Sequence, residues 1–426
     1  MAVTGRLGLL ALLGALVVGL LFPSGTGVAV VVAVLLVLVV VDLALAGSVR
    51  ALRFSRSGTT SVRLGEPAEV TLTVTNPGRR TVRGSLRDAW PPSAGADDRH
   101  ALVVPSGERR ALTTALLPTR RGDRIAARVT VRAVGPLGLA ARQGSHEVPW
   151  TVRVLPPFHS RKHLPSRLAR LQQLDGRNAV LIRGQGTEFD SLREYVIGDD
   201  VRSIDWRATA RASDVMVRTW RPERDRQVVL VLDTGRVSAG RVGDAPRLDA
   251  AMDAALLLAA LAARAGDRVD LVAYDRRVRA SVPNASTPSL VNALATIEPS
   301  LVETDARGMV AEVLRRTRRR ALVVLLTGLE PAPLQEGLFP VLGSLTARHE
   351  VLVASVADPR VAEMAASRGS AEAVYDAAAA ERALADRESS VAWLTRHGVG
   401  VVDAVPEELP PALADRYLAL KAAGRL

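Results

Sequence analysis

The chain has 426 residues, too many for one hydrophobic core, so two or more domains are expected. Hydrophobic residues make up 48% and aromatic ones only 3%, so the cores must consist of alanine, valine and leucine. The absence of cysteine excludes disulfides, thiolate metal ligands and cysteine nucleophiles. The net charge of +12, carried almost entirely by arginine, fits a GC-rich coding bias or, alternatively, an acidic partner.

Two apolar segments at the N-terminus predict a membrane hairpin within residues 1–50. Leu7 to Phe22 is wholly apolar, the turn "PSGTG" follows, and Val28 to Ala46 is apolar except for Asp42. Both segments are near the roughly 17–25 residues that cross a bilayer, the first at the short end. A signal peptide is the alternative for the first segment, but the second follows at once and the turn does not resemble an A-x-A cleavage site. We therefore expect two transmembrane helices.

Arginines beside both segments predict the orientation of the hairpin. The positive-inside rule places the outer ends of both segments, and the chain that follows, in the cytoplasm. The predicted location is therefore the cell (inner or plasma) membrane, with two passes and cytoplasmic soluble domains. Asp42 lies near the end of its segment, and we expect an interfacial residue rather than a functional acid within the membrane. The flanking cations are Arg6, Arg50, Arg53 and Arg56.

Residues 59–155 alternate between apolar and polar side chains and predict an antiparallel β-sandwich-like module. Turn signals separate the alternating segments "AEVTLTVTN", "RTVRGSLRD", "RRALTTALLP", "RIAARVTVRAV" and "WTVRVLPP". His100 and His146 have no acid at metal-ligand spacing and are interpreted as ordinary polar residues. The module is interpreted as an adhesive or spacer domain.

Residues 226–426 alternate between apolar runs and helical patterns, which predicts a doubly wound α/β domain around a parallel sheet. The predicted buried strands are "QVVLVLD", "DRVDLVAYD", "RALVVLLTG", "HEVLVASVAD" and "VGVVDAV". The predicted helices are "RLDAAMDAALLLAALAARAG", "SLVNALATIEPS", "RGMVAEVLRRTRR", "SVAWLTRHG" and "PEELPPALADRYLALKAAG". Ligands of such sheets bind at the carboxyl ends of strands. The candidate positions are therefore Asp233, Asp275, Thr327 and Asp358.

A polar segment between the two domains carries the most specific motif in the chain. Residues 156–225 form a linker that contains "GTEFDSLREYVIGDDVRSIDWRATAR", from Gly186 to Arg211, called the signature below. The signature resembles the pattern G-x-EF-x-x-x-R-x-Y-x-x-GD-x-x-R-x-IDW-x-x-x-AR of domain-of-unknown-function family 58. The segment "GPLGLA" at 135–140 resembles a shorter motif of that family. The resemblance extends over nearly the whole chain.

The resemblance implies a fold and a partner. The family carries a von Willebrand factor type A-like domain after the signature, which corresponds to residues 226–426 here. Its members are often linked with MoxR-type AAA+ ATPases and are thought to act with them in the assembly or activation of other proteins. The implied function is that of a non-enzymatic, membrane-anchored interaction or scaffold protein. It has a MoxR-type ATPase as partner, and neither nucleic acid nor a small-molecule substrate is expected.

Type A domains often bind Mg²⁺ at a metal-ion-dependent adhesion site, and this sequence keeps only part of that pattern. Asp233 begins "DTGRV", but Gly235 and Val237 stand at the two serine positions of the motif D-x-S-x-S. Thr304 matches the threonine of a later loop, whereas Gly328 stands where a later aspartate falls. Mg²⁺ requires a nearly octahedral shell of oxygen atoms. Two matches and three losses therefore predict a degenerate site without a cofactor.

The interpretation favoured for Asp233 is a cap at the end of its strand or a partner for a nearby arginine. A working metal site would need substitute ligands in a shifted geometry. The available candidates are Ser238, Asp244 and Glu330.

Within the signature, local patterns predict a short helix followed by a turn. Asp190 is in position to cap a helix that begins at Ser191. Gly198 would end that helix in a left-handed conformation. Asp199 or Asp200 would then bond to its own backbone in the turn.

Three hypotheses account for the charges of the signature. Paired acids suggest an enzyme site, but the segment contains no His, Cys or Lys and no phosphate-binding loop. Exposed arginines and a tyrosine suggest a surface that recognises a partner protein. Arginine–carboxylate pairs with Trp206 as a packed anchor suggest a clamp onto the α/β domain, which is the favoured interpretation. The interaction residues selected are Glu188, Phe189, Arg193, Tyr195, Gly198, Asp199, Arg202, Asp205, Trp206 and Arg211.

Two other functions remain as alternatives. The first is a Mg²⁺-dependent ligand-binding protein or hydrolase that uses Asp233 and Thr304. The second is a basic-surface binder of anionic lipid or nucleic acid, whose affinity would fall steeply with added salt. The basic run "RRTRRR" at 315–320 lacks interleaved aromatic residues and ends a predicted helix, so a solvated helix end is the favoured interpretation.

Overall fold

A computed structural model of the protein describes residues 2–181, 188–212, 214–221 and 226–426, with the side chains of 175–181, 188–190 and 219–221 outside that description. The chain divides into two compact units, Met1–Leu155 and Pro156–Leu426. Each unit has its own sheets and its own buried side chains.

The first unit begins with two apolar helices, α1 (Gly5–Leu21) and α2 (Gly25–Leu45). Ser24 caps α2, because its hydroxyl accepts a hydrogen bond from the backbone N–H of Gly27. The helices approach closely at Gly14, where a Cβ atom would lie 2.6 Å from Val31 Cγ1. By length and composition α2 can cross a membrane, whereas α1 is a shorter apolar helix. The chain therefore has one candidate span among the described residues.

The rest of the first unit is built from antiparallel sheets. A three-stranded sheet has the order β2-β4-β7, and a six-stranded sheet has the order β1-β9-β8-β5-β6, with β3 pairing in parallel with β9. The single 3₁₀ turn described in this unit is Pro92–Ala94. The strands are β1 (Ala2–Val3), β2 (Arg53–Gly58), β3 (Ser61–Arg63), β4 (Ala68–Thr75), β5 (Val82–Ala89), β6 (Arg99–Val104), β7 (Arg109–Leu116), β8 (Gly122–Val134) and β9 (Ala140–Leu155).

The alternation read from the sequence corresponds to strands with one buried face. In β4 every second side chain is buried, and Val70, Leu72 and Val74 are wholly inaccessible. The prediction of a β-rich, antiparallel region is confirmed. Strands β2, β3 and β6 were missed, because their apolar alternation is short or interrupted by charged residues.

A buried ion pair lies within this β-rich unit. Arg56 donates to both carboxylate oxygens of Asp88, at 3.0 and 2.6 Å, and both side chains are almost inaccessible to solvent. Trp90 Nε1 donates to the same carboxylate at 2.9 Å, and the Arg56 guanidinium lies over the Trp90 ring. Arg56 was predicted to be a membrane-flanking cation. Its buried position instead makes it part of the core, because a buried charge is tolerated only when paired.

The end of α2 is joined to the loop between β8 and β9. Asp42 is wholly buried, and its carboxylate accepts backbone hydrogen bonds from Leu137 at 2.7 Å, Leu139 at 2.8 Å and Ala140 at 2.9 Å. The loop is the "GPLGLA" segment. The prediction of an interfacial residue is wrong, because three N–H donors that lie about 95 residues later in the chain enclose this carboxylate.

The start of α1 is joined to the same loop. Thr4 Oγ1 donates to the carbonyl of Gly138 at 2.6 Å, and the Thr4 backbone N–H donates to the carbonyl of Leu139 at 3.1 Å. Gly138 has a φ of +70°, which a side chain would strain. Both ends of the helical hairpin are therefore fixed to one loop of the β-rich unit.

The second unit contains an α/β sheet and a separate two-stranded hairpin. Its strands are β10 (Glu188–Glu194), β11 (Met216–Arg221), β12 (Gln227–Asp233), β13 (Arg241–Val242), β14 (Ala245–Pro246), β15 (Arg268–Tyr274), β16 (Val278–Val282), β17 (Leu322–Leu326), β18 (Glu350–Val356) and β19 (Gly400–Ala404). Its helices are α3 (Leu164–Leu181), α4 (Trp206–Thr209), α5 (Arg236–Ala239), α6 (Arg247–Arg264), α7 (Thr287–Ala295), α8 (Ala306–Arg316), α9 (Phe339–Thr346), α10 (Pro359–Ala366), α11 (Ala371–Arg396) and α12 (Leu409–Ala422). Shorter helical turns are His159–His163, Val201–Ser203 and the π-helical Pro333–Leu338.

The large sheet has the order β16-β15-β12-β17-β18-β19. Strand β16 is antiparallel to β15, and the other neighbouring pairs are parallel. The central strands are buried on both faces, as their unbroken apolar runs predicted. Helix α6 is apolar on nearly every side and is correspondingly buried. The α/β region and its five predicted strands are confirmed.

The chain leaves β12 toward β15 on one side and returns to β17 on the other. The direction of winding therefore reverses between the carboxyl ends of β12 and β17. Such a reversal opens a crevice in which open α/β sheets bind their ligands. Asp233 ends β12, and Thr327 directly follows β17.

The signature does not form the predicted helix. Residues from Ser191 to Glu194 belong to β10, which pairs antiparallel with β11. The local capping pattern is overridden by pairing with a strand about 25 residues away. Gly198 does have a positive φ, of +110°, but in the turn that follows the strand.

Candidate functional site

The first candidate site lies at the carboxyl ends of β12 and β17, where three oxygen-bearing side chains meet. Asp233 is only 3% exposed. Its Oδ1 accepts from Thr304 Oγ1 at 2.5 Å and from the backbone N–H of Gly235 at 2.8 Å. Its Oδ2 accepts from Thr327 Oγ1 at 2.6 Å. The predicted proximity of Asp233 and Thr304, and the strand-end cap, are both present.

The carboxyl group of Asp233 is strongly affected by its surroundings. Burial raises the pKa of Asp233 above its ordinary value, while hydrogen bonds from Thr304, Thr327 and the Gly235 backbone oppose that rise. The charge of Glu330 raises the pKa further. A second carboxylate therefore lies close enough to interact with the first.

An ion pair lies beside these carboxylates. Arg247, the first residue of α6, bonds through Nη1 to Oε1 of Glu330. Arg247, Ser238, Thr327 and Gly328 line a small cleft at this edge of the sheet. Sequence reasoning named Glu330 as a substitute ligand but missed Arg247. The two residues are 83 positions apart, and the place of Arg247 at the start of α6 gives no local signal of the pairing.

The positions that depart from the metal-site pattern leave no room for the missing side chains. A Cβ atom on Gly235 would lie 2.0 Å from Thr304 Oγ1 and 2.9 Å from a backbone oxygen. A Cβ atom on Gly328 would lie 2.0 Å from Glu330 Oε2 and 2.3 Å from Val237 Cγ1. Among the described residues, no group of three or more acids or histidines is arranged to hold a metal ion. The residues at this edge do not fit the Mg²⁺ shell that the resemblance implies.

A second acid follows the neighbouring strand β15. Asp275 accepts from Arg279 Nε at 2.6 Å, from Ser300 Oγ at 2.8 Å and from backbone N–H groups. Burial raises the pKa of Asp275, but these hydrogen bonds outweigh that effect and hold the pKa below its ordinary value. With its carboxylate satisfied, Asp275 organises the loop after β15. Asp358, the last strand-end candidate, caps α10 by accepting from the backbone of Arg360.

The second candidate site is the signature hairpin, defined as residues 188–212 and 214–221. Arg193 Nη2 pairs with Asp199 Oδ1 at 2.5 Å, and Asp199 Oδ2 accepts from the backbone N–H of Val196 at 3.0 Å. The hydrogen bond with Asp199 raises the pKa of Arg193. Asp200 accepts from the backbone of Arg202 and so caps a 3₁₀ turn. The prediction that Asp199 or Asp200 bonds to the backbone of the turn is confirmed, since both do.

A second pair fixes the other side of the hairpin. Asp205 caps the short helix α4, because its Oδ1 accepts from the backbone N–H groups of Arg207 and Ala208. Its Oδ2 accepts from Arg218 Nε on β11 at 2.7 Å. The Ala208 backbone bond, followed by Arg218, lowers the pKa of Asp205. Arg218 was missed, although its position in an alternating segment opposite the acids offered a signal.

The apolar side chains of the hairpin turns are largely exposed. Ile197 is 96% exposed and Trp206 is 70% exposed, and Val196 and Val201 beside them are also mostly exposed. The expectation that Trp206 is a packed anchor is therefore wrong. It begins α4, a position that directs its ring to solvent while Ile204 bridges to the buried Val217.

The remaining selected residues take different positions. Tyr195 is half-buried, and its backbone N–H bonds to the carbonyl of Val215. Arg202 and Arg211 are exposed. Glu188 and Phe189 lie on β10 by their backbone, opposite β11. The preceding residues 182–187 lie outside the described part of the chain.

Comparison with known proteins finds a family model that matches part of the chain. Residues 191–392 match the family described as Protein of unknown function DUF58. The match covers most of the signature hairpin and the α/β region as far as residue 392, within α11, so β19 and α12 lie outside it. An uncharacterized protein of Mycobacterium tuberculosis and one of Mycobacterium bovis are each 30% identical over 202 residues, which is 45% of this chain and 61% of theirs. The chain thus spans about three fifths of the length of these relatives.

Solved structures resemble short parts of the chain. A CARDB domain from Pyrococcus furiosus, crystallised with two metal ions, is 18% identical and covers 24% of this chain with a TM-score of 0.19. A β-glucosidase from Listeria innocua is 14% identical and covers 23% of this chain with a TM-score of 0.16. These low scores give neither similarity any weight for fold or function.

Proposed function

We propose that the protein is a membrane-anchored, non-enzymatic interaction protein whose signature hairpin docks a partner, a MoxR-type AAA+ ATPase. In this proposal the two apolar helices form a two-pass anchor, and the β-rich and α/β units lie in the cytoplasm. The α/β unit is a von Willebrand factor type A-like domain, which the 3-2-1-4-5-6 strand order and the antiparallel edge strand support.

The exposed apolar turn of the signature hairpin carries the proposal. An isoleucine 96% exposed and a tryptophan 70% exposed are costly to leave in water. Tryptophan is also enriched among the residues that contribute most to protein interfaces. The arginine pairs of Asp199 and Asp205 hold the turns in place, so a partner would meet a preorganised surface.

The same contacts argue against catalysis in the signature. A general acid or base needs a carboxylate free to exchange a proton. Asp199 and Asp205 are engaged by arginines and backbone N–H groups, and Asp200 caps a turn. Each acid is thus explained by the local structure that it stabilises.

A capture experiment tests the docking proposal. Full-length tagged protein, solubilised from native membranes with ATP present, is expected to retain the AAA+ ATPase. Ile197→Ala combined with Trp206→Ala is expected to lose it without a change in melting temperature. Tyr375→Ala is the matched control, because Tyr375 is a 76% exposed aromatic residue on α11, outside the hairpin. Equal recovery from the double variant and the control, or no ATPase with the unmodified chain, would refute the proposal.

The absence of cysteine allows a direct test of the proposed orientation. Single cysteines are introduced at Thr26, an exposed residue in the first turn of α2, and at Asp97, on the exposed surface of the β-rich unit. A membrane-impermeant maleimide is expected to label Thr26→Cys in intact cells and Asp97→Cys only after lysis. The reverse pattern would invert the topology, and labelling of both sites in intact cells would eliminate the cytoplasmic placement.

A further inference from the structure

The cleft at the carboxyl ends of β12 and β17 already contains a cation supplied by the protein. Arg247 projects from the first position of α6 and pairs with Glu330 beside the buried Asp233. We propose that the Arg247 guanidinium is the resident cation of this cleft and takes the place of a divalent metal ion. Ligand recognition at this edge is then independent of Mg²⁺. This inference concerns the sheet edge, so it stands apart from the partner proposed for the signature hairpin.

Glu330 supplies the carboxylate that Gly328 lacks. Its Oε2 lies 2.0 Å from the place where a Cβ of Gly328 would be, so the carboxylate folds back over the position at which the metal-site pattern has an aspartate. A carboxylate is therefore present near position 328, although it belongs to Glu330, two residues further along the chain. Its counterion is Arg247.

The side-chain oxygen atoms of Asp233, Thr304 and Thr327 are hydrogen-bonded to one another. The Asp233 carboxylate accepts three hydrogen bonds, two of them from the hydroxyl groups of Thr304 and Thr327. A guanidinium suits this setting, because it is always charged, is weakly hydrated and binds carboxylates in a fixed plane. Mg²⁺, in contrast, demands near-ideal octahedral geometry and gives up its water reluctantly.

One carboxylate oxygen remains available for a metal if the arginine is removed. Glu330 Oε2 is buried and has no hydrogen-bond partner within the described part of the chain. Arg247→Ala would leave the carboxylates of Glu330 and Asp233 without their neighbouring cation, at a cleft that Ser238 also lines. That variant is therefore expected to gain a weak site for divalent cations.

Thermal melting of the full-length protein in detergent micelles tests this. The unmodified chain is expected to melt at the same temperature in EDTA and in about 10 mM Mg²⁺ or Mn²⁺, a concentration above that needed to fill weak oxygen sites. In EDTA, Arg247→Ala is expected to melt at a lower temperature than the unmodified chain. Added cation should raise its melting temperature by about 3 °C, the shift for a cation concentration roughly tenfold above Kd. Adding Asp233→Asn to that variant should abolish the gain. Arg241→Ala, an exposed arginine on β13, is the control and should show neither effect.

Two results would overturn the proposal. The first is a saturable Mg²⁺ shift in the unmodified chain that Asp233→Asn removes, because the cleft would then already hold a metal. The second is a folded Arg247→Ala variant that melts like the control and ignores cations. Should the alanine variant not fold, Arg247→Gln, which keeps the length but not the charge, is judged by the same two readouts.

Discussion

The joint between α2 and the "GPLGLA" loop gives the sharpest prediction. In Asp42→Asn the side chain keeps its size but loses its charge, and its amide group presents N–H to a cluster of three N–H donors. At least one of the bonds from Leu137, Leu139 and Ala140 must then be lost. A hydrogen bond to a charged group contributes about 1.5–3 kcal/mol. The free energy of opening the loop should therefore fall by about 2 kcal/mol. The population of the open loop should then rise roughly 30-fold.

Hydrogen exchange measures that opening directly. The full-length protein is placed in lipid nanodiscs, and the amide exchange of residues 135–140 is followed by mass spectrometry. Asp42→Asn should accelerate exchange in this loop, and Asp97→Asn, an exposed acid in the same unit, should leave it unchanged. Loop amides that exchange equally fast in the unmodified protein and in Asp42→Asn would refute the reasoning.

Three further predictions concern the interior of both units. Arg56→Met should lower the free energy of unfolding by about 3–5 kcal/mol in chemical denaturation, because it leaves a buried carboxylate unpaired, whereas Arg87→Met at an exposed pair should have no measurable effect. His349 is 5% exposed, and burial lowers its pKa. The unfolded state therefore binds more protons, and the protein should lose stability as the pH falls from 7 to 5. In melting curves, His349→Leu should reduce this dependence of stability on pH. Gly235→Ser should destabilise the protein by about 1–3 kcal/mol through overpacking, whereas Gly240→Ser, with no neighbour nearer than 3.4 Å, should be nearly neutral in the same assay.

The large sheet was predictable because its signal is carried by each strand alone. Strands β12, β17 and β18 are unbroken apolar runs, and such runs are buried whichever neighbours they acquire. The edge strand β16 was missed, because "VRASV" is short, half-buried and only weakly alternating. Local patterns thus predicted the centre of the sheet better than its margin.

The contacts missed by sequence reasoning join residues far apart in the chain. In the sequence, Asp42 is a single acid in an apolar segment. No neighbouring residue indicates that three N–H donors about 95 residues later bind its carboxylate. In the signature, the capping pattern at Asp190 is a valid local signal, but pairing with β11 outweighs it. Trp206 was predicted to be a packed anchor because its spacing from Ile204 fits one face of an extended segment, but Trp206 begins α4 and is exposed.

The departures from the metal-site pattern are coupled to one another. The Thr304 hydroxyl occupies the space that a serine Cβ at 235 would need. Val237 and Glu330 likewise fill the space beside Gly328. At both glycines a neighbouring side chain occupies the space of an added Cβ atom, so restoring a ligand at either position alone adds atoms to a filled volume. Restoration of a complete octahedral shell would therefore require several simultaneous substitutions, whereas Arg247→Ala alone is expected to give only a weak site.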